Sequence, residues 1–345
     1  MKAFGWAADE AGCCHYRIAE PLEALARTAN WEVKYSTRFT GIPDGPMKPD
    51  DKRLPGLARD LAKDLDVIIT QRTALLAPST FWHHLNMAGA FMVYEIDDDL
   101  FHIDRSNVVA YDLFTRPEIR QNMIDNMAVA DRVTCSTEPL AEILRQYNGD
   151  VRVCPNGIPD WLLEHNPTRY DNRKVTIGWG GSPTHEMDFA EVDGQLRRFL
   201  NQREDVEFHC IGSNYADWMR IPEDKCRFTP WMQSVPDFYH TIDYDIGIAP
   251  LRTHTFNKSK SNIKVLECAA LGIPVIASDV YPYRNFIRHG ETGYLVKYPH
   301  EWGKYLRELV EDPMQRAEMG AKARSLAAGY SMSRMAPIWE EALTP

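Results

Sequence analysis

Residues 243–278 read DYDIGIAPLRTHTFNKSKSNIKVLECAALGIPVIAS, and no other stretch narrows the fold as far. Two apolar runs, Ile246 to Leu251 and Pro274 to Ser278, bracket a helical pattern that starts near Ser259 and ends at Gly272. A strand, a helix and a second strand in succession make a parallel unit, whose ligands bind at the carboxyl ends of the strands. Lys260, Lys264 and Glu267 stand at i, i+4 and i+7, so the pattern puts them on one helix face. Cations at a helix amino terminus suit a pyrophosphate, and an acid one turn further in suits ribose hydroxyls. The plain alternative is a solvated basic face on a surface helix.

The rest of the chain repeats the strand–helix alternation twice. Short apolar runs at Met1 to Ala7, Glu32 to Thr37, Asp66 to Thr70, Phe91 to Ile96, Arg132 to Ser136 and Val151 to Cys154 are separated by helical stretches. Those stretches include Tyr16 to Thr28, Leu57 to Leu65, Pro117 to Ala130 and Glu138 to Tyr147. A second series starts at Val175 to Trp179 and runs through Phe208 to Ile211, Arg227 to Thr229, Ile246 to Leu251 and Val275 to Ala277. Such alternation predicts parallel sheets with right-handed crossovers. Gly41 to Pro55 reads as a long loop, and the turn-rich stretch after Pro159 as a linker. The expected organisation is a first domain over 1–158, a linker over 159–173, a second domain over 174–333 and a returning helix over 334–345. At 345 residues the chain is too long for one ordinary core and suits two domains of roughly 150 to 180 residues.

Composition excludes several classes. A net charge of −10 argues against a sequence-independent grip on nucleic acid. No apolar run reaches the roughly 18 residues of a membrane span, and Met1 to Glu10 lacks the layout of a signal peptide. Seven scattered cysteines, with only Cys13 and Cys14 close together, offer neither zinc spacing nor a disulfide framework. A reducing, cytoplasmic setting is expected.

The segment resembles retaining glycosyltransferase family 4, whose GT-B architecture has two Rossmann-like domains facing a central cleft. The resemblance rests on Glu267, Ala269, Ala270, Gly272, Pro274, Val275, Ala277 and Ser278, and continues through Tyr283 and Gly290 to Val296. The family's motif is Glu, seven residues, Glu; here Ser259 replaces the first glutamate, inside a pattern F-N-x-x-K-S-x-x-K-x-x-E found in one sub-branch. The resemblance implies transfer of a sugar from a nucleoside diphosphate to a hydroxyl acceptor, without a cofactor or a metal. It implies that Lys260, Ser261, Asn262, Lys264 and Glu267 bind the donor, with the two lysines stabilising the departing diphosphate. The implied scheme is front-face attack, with the diphosphate able to take the proton.

Three further clusters bear on chemistry. Gly178 to His185 closes one strand and opens a helix, so Gly180, Gly181 and Ser182 are donor-loop candidates, with Ser182 or Thr184 as the cap. Relatives carry Gly-Arg and a later lysine there; this chain carries neither, which leaves the charge to Lys260 and Lys264. Glu95 to Leu100 holds three successive aspartates, Asp97, Asp98 and Asp99, whose crowding needs a nearby cation or donor. They read as a metal motif, as a catalytic acceptor-side site in which Asp97 or Asp98 accepts the acceptor hydroxyl proton or touches the donor sugar, or as a solvated cap; the two-domain pattern puts metal last. In the first strand's loop, Gly12 approaches the transferred sugar in the family, and Tyr16 and Arg17 are acceptor-side candidates, Arg17 reading equally as a solvated helix start. Cys14 beside His15 lacks an orienting third group for nucleophilic chemistry. Trp231 falls where the family seats the base, while the residue type alone favours a core tryptophan. Other readings are a binding or scaffold protein without turnover, or another sugar-nucleotide enzyme of the same fold.

Overall fold

The structure, a computed structural model, describes residues 1–38, 47–167 and 174–345. Their contacts divide the chain into two units. Unit 1 is Met1–Gly157 with Ser259–Ser261 and Met332–Pro345; unit 2 is Ile158–Lys258 with Asn262–Ser331.

In unit 1 the strands β1 (Lys2–Trp6), β2 (Glu32–Ser36), β3 (Val67–Gln71), β4 (Met92–Ile96), β5 (Arg132–Cys135) and β6 (Val151–Val153) form one parallel sheet. Its order is β2-β1-β3-β4-β5-β6. Every residue of β3 and β4 is buried, which is the pattern of central strands covered by helices on both faces. On one face Ile18, Leu22 and Leu25 pack with Ile69 and Val93. Trp339 and Leu343 of the helix Met332–Leu343 complete that layer.

Unit 2 repeats the scheme with β7 (Val175–Gly181), β8 (Val206–Gly212), β9 (Cys226–Pro230), β10 (Ile246–Ala249), β11 (Val275–Ser278) and β12 (Gly293–Val296). All neighbours are again parallel, in the order β12-β11-β10-β7-β8-β9. Both units are therefore doubly wound α/β sheets. The winding reverses between β1 and β3 in unit 1 and between β7 and β10 in unit 2. Those two switch points are where such sheets open a crevice for ligands.

The apolar runs coincide with the strands to within a few residues. Several helices, among them Leu76–Met87, Val108–Phe114, Asp193–Asn201 and Val235–Thr241, have no counterpart among the helical stretches named from sequence. Of the expected loop over Gly41 to Pro55, residues up to 46 lie outside the described residues, and Leu54 already opens the helix Leu54–Asp64. The expected linker contains a 3-10 turn, Asp160–Leu163, while residues 168–173 lie outside the described residues. The motif helix corrects the sequence reading: it spans Ile263–Ala270 with Asn262 at its amino cap, so Lys260 precedes it. Lys260 and Lys264 do not share a helix face.

Strand β7 ends in glycines because neighbouring side chains occupy the space a Cβ would need. At Gly178 a Cβ would overlap the Tyr244 ring, and at Gly180 it would meet the Phe238 ring. Gly194, by contrast, faces open space. Gly178→Ala should therefore cost about 2–3 kcal/mol of stability through overpacking, while Gly194→Ala is neutral or mildly stabilising. Denaturant midpoints check this; equal midpoints for the two variants would contradict the packing described.

Candidate functional site

At the switch point of unit 1, a buried side chain at the end of β3 holds the loop that follows β1. Gln71 accepts the Ala8 N–H through Oε1 at 3.1 Å and donates Nε2–H to the Cys13 carbonyl at 3.0 Å. Asp9 holds the same loop, accepting from the Ala11 and Cys14 amides at 2.8 and 3.3 Å. Gly12 opens the short helical turn Gly12–Cys14 with open space around it.

The crowded aspartates find their cation in Arg72, immediately after β3. Its Nε donates to Asp97 Oδ1 at 2.6 Å and its terminal nitrogen to Asp98 Oδ2 at 3.1 Å. Lys260 Nζ stands 3.9 Å from Asp98 Oδ1 within the same unit. Arg72 has φ of 54°, a left-handed conformation that costs a non-glycine residue energy and that clusters at functional sites. Asp99 parts from the other two. It is buried, lies 2.8 Å from His102 Nδ1 and accepts the Phe101 amide, and burial raises its pKa. The three aspartates thus split into an Arg72-bound pair and a local cap. Among the described residues no group of three His, Cys, Asp or Glu side chains is placed to hold a metal ion.

Arg17, an acceptor-side candidate, is instead buried at 1% exposure. Its guanidinium grips Glu95 with two bonds of 2.7 and 3.1 Å, donates to Asn156 Oδ1 at 2.8 Å and lies 4.7 Å over the Trp339 ring. Thr134 adds a hydroxyl bond to Glu95 at 2.6 Å. A guanidinium spent on that fork has no reach for a ligand, so its part is to fix the unit's interior. The network leads outward through Asn156, whose Nδ2 donates to Ser261 Oγ at 2.9 Å. Thr137 Oγ1 donates to the Ser259 carbonyl at 2.7 Å, so Ser259–Ser261 are anchored at both ends. Tyr16 is likewise buried, its ring edge-on to His15 at 4.9 Å.

In unit 2 the end of β7 carries the donor-side candidates. A Cβ at Gly181 would lie 3.0 Å from Lys264 Nζ, so the ammonium sits against the last turn of this strand. That ammonium is 5.6 Å from the Trp179 ring centroid and 6.0 Å from that of Phe238. Two aromatic faces hold a cation in place by their quadrupoles. Glu267, one turn along the same helix, is buried. Ser182 pairs with Thr184 at 3.0 Å, and neither caps the following helix Glu186–Phe189, whose amino cap is His185. Trp231 is 49% exposed rather than a core residue, and its ring stands 3.0 Å from the position of a Gly212 Cβ. Gly212 has φ of 94° and also faces the Gly181 carbonyl, so Trp231 and the glycine end of β7 adjoin. Behind Trp231, His209 bridges Asp243 at 2.8 Å and Thr229 at 2.9 Å.

The family model described as "Glycosyl transferases group 1" matches residues 188–312. Apart from Ser259–Ser261, the matched stretch lies within unit 2, and it begins after β7. The chain is 34% identical over 113 residues to a D-inositol 3-phosphate glycosyltransferase of Thermobispora bispora, covering 31% of this chain and 25% of that protein. It is 26% identical over 176 residues to a GDP-Man:Man(3)GlcNAc(2)-PP-Dol alpha-1,2-mannosyltransferase of Dictyostelium discoideum, covering 50% of this chain and 30% of that one. The match thus spans about a quarter of the length of these curated relatives. Among solved structures, Anabaena HepE in complex with UDP and glucose aligns over 99% of both chains, with a TM-score of 0.68 and 14% identity. That likeness is one of fold, and the fold is GT-B. The matched stretch contains Asp188, Trp231, Lys264 and Glu267. Gln71, Arg72 and Asp188 were not singled out from sequence. For Arg72 and Asp188 no sequence signal stands out, whereas Gln71 ends an apolar strand run where a polar side chain is unusual.

Titration of the loop after β1 bears on its chemistry. Burial raises the Cys13 thiol and pushes Cys14 up to about 11, so both stay protonated and unreactive. Burial lowers His15 to about 4. The unfolded chain protonates this histidine near 6.5 and the folded one only near 4. Stability is therefore complete above the unfolded value and falls as pH drops through that window, by up to about 3 kcal/mol. His15→Gln should lose less stability than the unaltered chain between pH 7 and about 4, as read from denaturant midpoints; parallel losses would contradict the buried neutral state.

Proposed function

We propose that this chain transfers a sugar from a nucleoside diphosphate to a hydroxyl acceptor, with retention of configuration. The observation that carries the reading is the Lys264 ammonium, held by the Trp179 and Phe238 rings against the glycine end of β7, on a helix within the stretch that the group 1 model matches. That is the switch point of a doubly wound sheet, and a cation there meets a diphosphate at close range. Lys264 takes the place of the loop cations that relatives carry after the equivalent glycines. Gly180, Gly181, Ser182 and Asn262 line the donor's diphosphate in this reading, Glu267 takes the ribose and Trp231 the base. Lys260, Ser261 and Gly12 belong with the transferred sugar in unit 1.

On the acceptor side, Asp97 and Asp98 accept hydrogen bonds from substrate hydroxyls. Arg72 donates to both and holds them in place, which suits orienting an acceptor. The departing diphosphate takes that proton as the acceptor attacks from the same face. Leaving-group charge is met by lysine and helix amides, so no metal is required. Seven cysteines, none of them disulfide-bonded, support a cytoplasmic setting. The curated relatives include inositol phosphate and dolichol-linked names, so the acceptor is left open among hydroxyl compounds.

A second reading, nucleotide-sugar binding without turnover, draws on Ser259 in place of the motif's first glutamate. A panel of UDP- and GDP-sugars scored for binding and for hydrolysis separates the two. Binding with release of sugar supports transfer, and binding alone supports the second reading.

Three measurements bear on the assignment. Lys264→Ala should weaken nucleoside diphosphate binding by roughly 1.5 to 3 kcal/mol, the scale of a charge-assisted bond; unchanged affinity would remove the donor site from this helix. Asp98→Asn should leave nucleotide affinity in place while transfer drops on the order of 10²-fold through lost orientation. Activity should survive EDTA; loss on chelation, restored by manganese or magnesium, would return Asp97 and Asp98 to the metal reading.

A further inference from the structure

In unit 2 one buried carboxylate spans the crevice between the loops that follow β7 and β10. Asp188 lies in the short helix Glu186–Phe189 and is 5% exposed. Its Oδ1 accepts the Arg252 amide at 2.9 Å and the Asn257 side-chain amide at 3.2 Å. Its Oδ2 faces His185 Nδ1 at 2.8 Å. Asn257 Nδ2 also donates to the Arg252 carbonyl at 3.0 Å, which closes residues 252–257 into a tight loop. His185 belongs to the β7 loop, while Arg252 and Asn257 belong to the β10 loop. The two strands are neighbours on either side of the switch point.

The cross-link reaches the donor-side cation through one ring. His185 stands edge-on to Trp179, with centroids 5.5 Å apart and planes at 71°. The same Trp179 ring carries Lys264 Nζ at 5.6 Å. The His185 amide is held as well, donating to the Tyr215 hydroxyl at 2.7 Å. A carboxylate in this place is a poor choice for stability alone, because a buried charge is expensive and apolar packing does the same work. What three directed bonds from two loops add is a fixed geometry.

We propose that Asp188 is a positioning residue of the donor site, setting the separation of the β7 and β10 loops. Through the Nδ1–H tautomer of His185 it also braces the Trp179 ring that seats Lys264. The inference rests on the reading of unit 2 as a nucleoside diphosphate site. Asp188 touches no substrate; it acts through Arg252, Asn257 and His185. Cutting its bonds lets the crevice widen and the tryptophan relax, and the ammonium leaves the end of β7.

The test is calorimetric titration of the full chain with UDP, GDP and ADP, alongside ligand-free melting temperatures. The variants are Asp188→Ala, Asp188→Asn, Asn257→Ala and Lys264→Ala. Asp188→Ala should bind the accepted nucleotide roughly ten-fold more weakly, the scale of bonds to a charged group. Asp188→Asn keeps an oxygen for the Arg252 amide and loses the acceptor for His185, so its affinity should fall between those of Asp188→Ala and the unaltered chain. Asn257→Ala removes a single arm and should also weaken binding. The losses should follow the bonds removed and not the melting temperatures. If Asp188→Ala does not fold, Asp188→Asn and Asn257→Ala carry the test. Should both bind like the unaltered chain while Lys264→Ala is weakened, the positioning role is wrong and the donor site stands. Should the unaltered chain bind none of the three nucleotides, the donor-site reading fails, and this inference with it.

Discussion

The close approach of side chains to the end of β7 is the constraint on which unit 2's chemistry depends. Tyr244, Phe238 and Trp179 fill the space that Cβ atoms at Gly178, Gly180 and Gly181 would need, and Lys264 Nζ stands 3.0 Å from the last of these positions. Larger residues there would push the rings and the ammonium away from the strand. The glycines thus do more than permit a turn: they let the ammonium of a neighbouring helix approach the end of the strand. A sheet with all its strands parallel directs the loops that follow them to one edge, and the reversal between β7 and β10 opens that edge. Fold and site share a cause.

Unit 1 solves a different electrostatic problem. Glu95 and Arg17 are both buried, and such a pair holds only if the remaining donors and acceptors are satisfied. Thr134, Asn156 and Trp339 meet that condition, and Asn156 carries the network to Ser261. Just past the end of β4, the half-buried Asp97 and Asp98 crowd two like charges together, and Arg72, in a left-handed backbone conformation, donates to both. The interior pair fixes the scaffold, and the edge cluster is left for chemistry.

Much of the architecture was legible because period-2 and helical apolar patterns alternate cleanly, and buried parallel strands read as continuous apolar runs. What escaped has physical reasons. The motif helix reads as beginning near Ser259 because Lys260, Lys264 and Glu267 keep a helical spacing that runs through Ser261 and Asn262. Those polar side chains favour caps and turns, and Asn156 and Thr137 hold the segment out of the helix. Arg17 read as a helix-start cation because its partner Glu95 is distant in sequence. Arg72 left no signal, since a positive φ at arginine is set by tertiary contacts. The helix Leu76–Met87 carries apolar residues around most of its circumference, so its period is weak. Lys264, Glu267 and the β7 glycines were readable because their spacing follows the local chain alone.

The central claim is that Lys264, seated by aromatic rings at the end of β7, grips a diphosphate. An experimental structure of the full chain with a bound nucleoside diphosphate tests it most directly. The account predicts phosphate oxygens within ion-pair distance of Lys264 Nζ and beside the Gly181 backbone. A diphosphate seated elsewhere, with Lys264 still resting on Trp179 and Phe238 and touching no phosphate, would contradict it.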